Sequence, residues 1–410
     1  MPIYYLCKMI SSRELFLRHL APTSEAPLLL EIDHAKGCRL HLSDGRSLID
    51  LIGGISVCPA GHSRPEVLEA IRSQSEKYLH VMVYGELVQS PQTAYAQWLT
   101  DRLPDHLQSV YFTNSGAEAI EGAMKLAKRV TGRTRFISFT NGYHGSTQGA
   151  LSLMGSDEYS RAYRPLLPDC ARFPYGDEMV LDHINDRVAA VVIEPVQAES
   201  GVTVASSSYL QALRTACTQH GVQLIYDESQ SGMGRCGSLF VFEQTGTIPD
   251  ILVLSKALGG GLPLGAFISS KEKMHSLAHH PVLGHITTFG GHPLSCAAGL
   301  AAACVVEKER YIEQTSLKGQ LFEELLQHPC VRDIRRKGLM LGIHFDTFAQ
   351  TKSIIDHCIQ LGVFTDWFLY AGHALRIVPP LSITEEEIRE ACALIRQAVA
   401  LTTNDQYLSS

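Results

Sequence analysis

The chain has 410 residues, 45% hydrophobic and 19% charged, the balance of a globular protein with room for two or three ordinary domains. Its net charge of −7, from 35 Lys and Arg against 42 Asp and Glu, leaves no basic footprint for nucleic acid or an anionic membrane. The 11 cysteines (Cys7, Cys38, Cys58, Cys170, Cys217, Cys236, Cys296, Cys304, Cys330, Cys358 and Cys392) fall singly with no CxxC pair, which implies reduced thiols in a cytoplasmic protein.

The start, Met1-Pro-Ile-Tyr-Tyr-Leu-Cys-Lys8, lacks a basic leader and a small-residue cleavage site, and Met9 competes with Met1 as initiator. Up to Leu48, short apolar runs alternate with turn signals at Pro22, Gly37 and Asp44-Gly45, the last read as a two-residue hairpin turn, so a helix and a small sheet are predicted. Ile52-Gly53-Gly54-Ile55 and Gly61-His62 mark backbone passing close to a ligand or a neighbouring chain. Helical spacing follows from Arg64 to about Leu79, and again from Pro91 to Arg102 behind a first-turn proline.

Between Ser109 and Ser269 the pattern alternates. Strands are predicted at 109–113, 135–139, 188–193, 222–226, 251–254 and 265–269, with helices at 117–130 and 207–220. Such alternation predicts an α/β fold: a mostly parallel sheet covered by helices, with ligands at the carboxyl ends of its strands. Beyond Gly291-His-Pro293 an alanine-rich helix from Leu294 to about Glu309 carries Cys296 and Cys304, both expected as small core residues. Helices near 314–327, 349–361 and 384–401, and strands near 339–345 and 374–378, complete the chain, the last helix opening on a Thr384/Glu387 capping box. The predicted division is a large domain at 49–293 and a smaller α+β domain built from 1–48 and 294–410.

Chemistry gathers at the strand ends. Ile251-Leu-Val-Leu254 is followed by Ser255-Lys256 and then Gly259-Gly260-Gly261, so an amine stands where a strand stops and backbone opens. Alone, Lys256 reads first as a surface lysine after an edge strand. Upstream, Leu224-Ile-Tyr-Asp227 ends in a carboxylate, and a buried aspartate facing a lysine-bound pyridine ring is what a pyridoxal phosphate enzyme needs to keep the ring nitrogen protonated. Ser115-Gly116-Ala117 follows a strand and opens a helix, which suits a phosphate and equally a plain N-cap.

Seven motifs stand in one order: Phe112-Thr-Asn-Ser115-Gly-Ala-Glu-Ala119, Asn141-Gly-Tyr143-His-Gly145, Glu194-Pro-Val-Gln197, Asp227-Glu-Ser229-Gln230-Ser-Gly232, Ser255-Lys256-Ala-Leu-Gly-Gly-Gly261, Thr287-Thr288-Phe-Gly-Gly291 and Leu375-Arg376-Ile-Val-Pro-Pro380. In this set the chain, from about Leu48 to about Ile388, resembles the class III aminotransferases of the fold type I pyridoxal phosphate enzymes. The resemblance implies a homodimer with shared active sites and assigns Lys256 as the residue that binds the cofactor as a Schiff base. It implies that Ser115, Gly116 and Ala117 hold the phosphate, that Tyr143 stacks on the ring, and that Asp227 holds the ring nitrogen. Glu194 is to brace the site, Gln230 to approach the phenolic oxygen, and Thr288 to reach the phosphate of the neighbouring subunit; a threonine capping the 289–291 turn is the alternative for Thr288.

The resemblance further implies that Arg376 grips the carboxylate of a 2-oxo acid and that Glu199 pairs with Arg376 while an ω-amine donor is bound. That favours an ω-amino donor, ornithine- or acetylornithine-like, with 2-oxoglutarate as acceptor. Two residues depart from the family pattern: Ser229 replaces an apolar residue behind the ring, and Ser146 replaces the arginine after His-Gly that binds the donor's distal carboxylate. An isomerase of the same fold, an aminomutase or racemase, is the alternative function.

Overall fold

The strands predicted between Ser109 and Ser269 lie in one seven-stranded sheet, in the order Ser109–Thr113, Gly265–Ser269, Ile251–Leu254, Gln223–Asp227, Val188–Ile193, Arg135–Phe139, Cys170–Phe173. The computed structural model describes residues 11–83 and 85–409; Cys7, Met1 and Met9 lie outside the described residues. Neighbouring strands run parallel except Gly265–Ser269, which is antiparallel to both its neighbours. The three central strands are buried at every position, because a strand covered on both faces has no solvent side and so reads as a continuous apolar run.

Alternate residues serve opposite faces. Leu224 and Tyr226 join a core with Tyr209, Leu210 and Leu213 of the helix Ser207–His220. Ile225 packs on the other side with Ala119, Ile120 and Ala123 of the helix Gly116–Thr131. That helix lies so close to the sheet that a Cβ on Gly122 would sit 2.3 Å from the Phe267 ring. The edge strand Cys170–Phe173, unpredicted, is half-exposed and carries neither alternation nor an apolar run.

The two ends of the chain meet. Ser47–Asp50 pairs in parallel with Val363–Phe364, which adds a C-terminal strand to the N-terminal meander Ile32–Lys36, Arg39–Leu42, Ser47–Asp50. A second four-stranded sheet, antiparallel throughout, runs Asp333–Lys337, Met340–His344, Ala371–Ile377, Trp367–Phe368. One apolar cluster unites Cys38, Ile49 and Leu51 with Phe322, Ile354, Ile377 and Ile395.

Local expectations fared unevenly. The capping box forms as read: the Glu387 N–H donates to Thr384 Oγ1 at 3.2 Å and the Thr384 N–H to Glu387 Oε2 at 3.0 Å. The Asp44-Gly45 turn is a residue longer than expected. Leu42 N–H donates to the Arg46 carbonyl and Gly45 N–H to the Leu42 carbonyl, and Gly45 takes φ 89°, so three residues close it through a left-handed glycine. Cys304 is exposed, on the outer face of the helix Pro293–Lys308, while Cys296 is buried as expected. The final helix, Glu385–Ser409, continues past Leu401.

Candidate active site

At the carboxyl edge of the seven-stranded sheet lies a cavity of about 510 Å³, whose walls include Ser115, Gly116, Ala117, Tyr143, Asp227 and Lys256. Its size falls within the range of small-molecule and cofactor sites. Lys256 opens a 3₁₀ turn directly after the strand Ile251–Leu254 and Ser255, with φ 50°, a left-handed conformation that a non-glycine residue adopts only when its surroundings enforce it. The turn is tied down from behind: the buried Tyr95 hydroxyl donates to the Leu258 carbonyl at 2.7 Å.

The opposite wall is the start of the helix Gly116–Thr131. Ser115 Oγ accepts the Glu118 N–H at 3.2 Å, and Glu118 Oε2 accepts the Asn114 N–H at 2.9 Å, so the N-cap reading of Ser115 is realised. The same turn lines the cavity with the positive end of a helix, where first-turn N–H groups lack an intrahelical acceptor and an anion is favoured. Glycine is needed here, because a Cβ on Gly116 would meet Ser255 Oγ at 2.6 Å.

Asp227, the last residue of its strand, is buried and fully engaged. Its Oδ2 lies 2.9 Å from His144 Nδ1, and its Oδ1 accepts the Ser229 N–H at 3.0 Å. Burial alone would raise its pKa, but the hydrogen bond and charge of His144 outweigh that and hold the carboxyl below its usual range. Burial likewise opposes the charged form of His144, yet the bond to Asp227 holds the imidazole above its ordinary value. His144 is the functional neighbour that sequence reasoning missed, since the sequence marks it only as one member of the Asn141–Gly145 motif. Glu194 is buried behind Tyr143, whose N–H it accepts at 2.8 Å, and burial pushes its carboxyl well up.

Ser229 Oγ lies in the cavity wall, buried, with no hydrogen-bond partner among the described residues. A hydroxyl is costly to bury unpaired, so this atom is suited to a polar ligand in the cavity.

Five of the expected residues, Glu194, Glu199, Gln230, Thr288 and Arg376, stand outside these walls. Arg376, on the strand Ala371–Ile377, makes a two-pronged pair with Glu199: Nη1 to Oε1 at 2.9 Å and Nη2 to Oε2 at 2.9 Å. Glu199 also accepts the Leu369 N–H at 3.0 Å and the Gln230 amide at 3.1 Å. The Gln230 amide nitrogen is thus spent on Glu199, which links the Asp227 turn to the ion pair, while the buried Gln230 Oε1 has no hydrogen-bond partner among the described residues. Arg376 further donates to the Trp367 carbonyl at 2.7 Å, lies 4.6 Å from the centre of the Phe368 ring, and has Asp366 Oδ1 3.0 Å from its Nε.

Thr288 is likewise apart, exposed beside Phe289. The capping role belongs to its neighbour: Thr287 Oγ1 accepts the Gly290 N–H at 3.2 Å and the Asn114 amide at 3.1 Å.

A mostly parallel sheet that brings a strained lysine, a buried anionic aspartate and a helix N-terminus around one cavity defines an enzyme working on a bound, phosphate-bearing cofactor. The family model for aminotransferase class-III matches residues 20–399, and the chain belongs to that family. The acetylornithine aminotransferase of Methanopyrus kandleri is 38% identical over 95% of this chain and 99% of its own length. That of Bacillus subtilis is 37% identical over 90% of this chain and 95% of its own. Among solved structures, an ornithine aminotransferase of Toxoplasma gondii superposes with a TM-score of 0.88 at 27% identity, covering 98% of this chain and 96% of the other. An ω-transaminase of Pseudomonas jessenii, solved with PMP, shares the fold with a TM-score of 0.90 at 24% identity over 96% of this chain and 98% of its own. The chain is therefore an aminotransferase, and its cofactor is pyridoxal phosphate.

Proposed function

We propose that this aminotransferase moves an amino group from an ω-amino donor, ornithine- or acetylornithine-like or a related amine, to a 2-oxo acid, 2-oxoglutarate by preference. The observation that carries this reading is the buried two-pronged pair of Glu199 and Arg376. A planar guanidinium is matched to a carboxylate. Covered by Glu199 it leaves a neutral surface for an amine donor, and released it grips a 2-oxo acid. An isomerase has no second substrate to admit and no use for such a pair.

In this reading Ser115, Gly116 and Ala117 hold the cofactor phosphate, Tyr143 stacks on its ring, and Asp227, kept anionic by His144, holds the proton on the ring nitrogen. Bound there, pyridoxal phosphate supplies a carbonyl that condenses with amines and a ring that stabilises negative charge on the adjacent carbon. The Lys256 amine would hold the cofactor and would serve as the positioned acid–base group at its edge, a role worth on the order of 10² to 10⁴ in rate. Glu194 holds the Tyr143 backbone in place.

The same reading makes the protein a cytoplasmic homodimer. Among the described residues no helix is long and apolar enough to cross a membrane. The exposure of Thr288 and of the apolar Val282, Ile286 and Phe289 in the same segment supports a contact with a second copy. The division into 49–293 and a smaller unit from 1–48 and 294–410 is supported by the pairing of Ser47–Asp50 with Val363–Phe364. The test is a single-turnover screen with glutamate, ornithine, N-acetylornithine, 4-aminobutyrate and a simple diamine, following conversion of the cofactor to its amino form. We expect glutamate and at least one ω-amine to convert it; conversion by neither would overturn the reading.

A further inference from the structure

A guanidinium carries several N–H donors, and Glu199 accounts for only part of those on Arg376. Glu199 accepts from Nη1 and from Nη2, both at 2.9 Å, and the Trp367 carbonyl accepts from Nη2 at 2.7 Å. Nε faces a second carboxylate: Asp366 Oδ1 stands 3.0 Å away, within ion-pair distance. Both atoms are buried, and neither has an aligned hydrogen-bond partner among the described residues. An unsatisfied buried donor and acceptor are costly to leave so, and at this separation a small turn of the guanidinium pairs them.

Asp366 keeps its place whatever Glu199 does. The Arg376 N–H donates to the Asp366 carbonyl at 2.9 Å, and the buried Thr365 hydroxyl donates to the Arg376 carbonyl at 2.6 Å, so the two segments are tied through the backbone. The Asp366 side chain is 31% exposed against 4% for Arg376 and 10% for Glu199, which lets this carboxyl exchange a proton with solvent.

The two halves of the Glu199–Arg376 pair fare differently when they separate. Glu199 retains the Leu369 N–H and the Gln230 amide as donors. Arg376 retains the Trp367 carbonyl, which is a dipole and no counter-charge, and a buried cation without an anion is strongly disfavoured. Asp366 is the anion left within reach. With Glu199 in place, Asp366 is pushed up to about 6 by burial, with the charges of Glu199 and Asp50 adding to that against the pull of Arg376. Asp50 lies in turn 2.7 Å from the His62 ring. Withdrawal of Glu199 removes one of the charges that raise Asp366, so the separated state binds fewer protons and is favoured as pH rises through about 6.

On the reading of Glu199 and Arg376 as a gate, we propose that Asp366 is the counter-charge that takes the Arg376 guanidinium at Nε when Glu199 lets go, and so sets how readily the enzyme admits a 2-oxo acid or an α-amino acid carboxylate. Asp366 is a positioning residue that acts through Arg376.

The experiment follows single-turnover conversion of the cofactor-loaded enzyme by glutamate and by a simple diamine, between about pH 5 and about pH 8, in wild type, Asp366→Asn, Glu199→Ala and the double variant. Asparagine keeps the shape and the side-chain carbonyl but carries no charge. Near pH 8, Asp366→Asn should slow glutamate roughly tenfold or more and change the diamine by less than about twofold, as expected for loss of one charged contact to the arginine. The diamine rate also certifies that the variant folds, and Asp366→Ser carries the same expectation without an amide. The ratio of wild-type to Asp366→Asn rates with glutamate should fall as pH drops through about 6, since the donor's own ionisations cancel in it. With Glu199 removed as well, Asp366→Asn should cost glutamate nothing, because no gate is left to open. Glutamate reacting with Asp366→Asn as with wild type, equal slowing of both donors, or a loss that persists without Glu199 overturns the role of Asp366 and leaves the gate standing. Glu199→Ala with an unchanged ratio of glutamate to diamine overturns the gate, and the role of Asp366 with it.

Discussion

Two buried carboxylate–cation pairs, Asp227 with His144 and Glu199 with Arg376, are built on opposite terms. Asp227 sits at a strand end, its partners come from the adjacent His144 turn and from its own chain two residues on, and among the described residues no second carboxylate is hydrogen-bonded to His144. Glu199 is just as fully engaged, with four hydrogen bonds, but its arginine has a second carboxylate within reach: Asp366 Oδ1 lies 3.0 Å from Arg376 Nε. That contact is poorly aligned, for both atoms are left without a proper hydrogen bond. Burial pushes Asp366 up to about 6 against the charge of Arg376. A pair with no alternative stays fixed; a pair whose cation has another acceptor waiting is able to open. The cavity side should therefore fail alike for every substrate, and the Arg376 side should fail selectively.

The cavity side gives the largest effects. Lys256→Ala should abolish turnover with all donors and acceptors, since no other amine among the described wall residues can attach the cofactor or carry the proton. The check is borohydride reduction followed by denaturation: wild type keeps the cofactor on the protein and the variant does not. Asp227→Asn should cost on the order of 10² or more in rate, a loss comparable to removing one preorganised electrostatic partner, equally for glutamate and for ω-amines. It should also free His144, whose raised proton affinity depends on Asp227, so its NMR titration should move down.

Arg376→Ala comes next and splits the substrates. It removes a charged contact worth about 1.5 to 3 kcal/mol, so single-turnover rates with glutamate should fall roughly tenfold or more, with a smaller loss for a diamine. Stability should fall too, because removing one partner of a buried pair costs about 3 to 5 kcal/mol when the other charge is stranded. Protonation of Asp366 limits that loss, so the destabilisation should be milder near pH 5 than near pH 8. Glu199→Ala should do the reverse, leaving Arg376 beside Asp366 and glutamate reacting faster relative to ω-amines. Equal slowing of all donors by Arg376→Ala would break the comparison.

Much of the frame was legible because burial leaves a local mark. Val188–Ile193, Ile251–Leu254 and Gly265–Ser269 carry apolar runs and stand to the residue where expected, as does the helix Ser207–His220. The positions of Lys256, Asp227 and Ser115 followed, since each stands where a strand ends. What was illegible depends on closure between distant segments. His144 and Asp227 are 83 residues apart, and nothing local distinguishes a histidine that will hold an aspartate from one packed in a turn. Asp366 was unmarked for the same reason, and only the folded loop separates the capping Thr287 from the exposed Thr288.

The smallest effect belongs to Ser146, exposed at the cavity mouth with its hydroxyl 3.4 Å from that of Tyr143. A serine offers a donor's distal carboxylate one neutral hydrogen bond, about 0.5 to 1.5 kcal/mol, where an arginine offers a charged contact of about 1.5 to 3. Ser146→Arg should therefore raise single-turnover rates with 4-aminobutyrate, ornithine and N-acetylornithine by roughly tenfold at most relative to a diamine. The gain should fall short of that limit because Glu121 stands close by. Its Oε1 already accepts the Thr147 hydroxyl at 2.7 Å and the Gly149 N–H at 2.8 Å, so its carboxylate competes for the new guanidinium. Adding Glu121→Gln should release that competition and enlarge the preference. Should the diamine gain as much as the carboxylate-bearing donors, position 146 does not face the donor's distal end, and the tolerance for donors without a carboxylate must be sought elsewhere in the cavity wall.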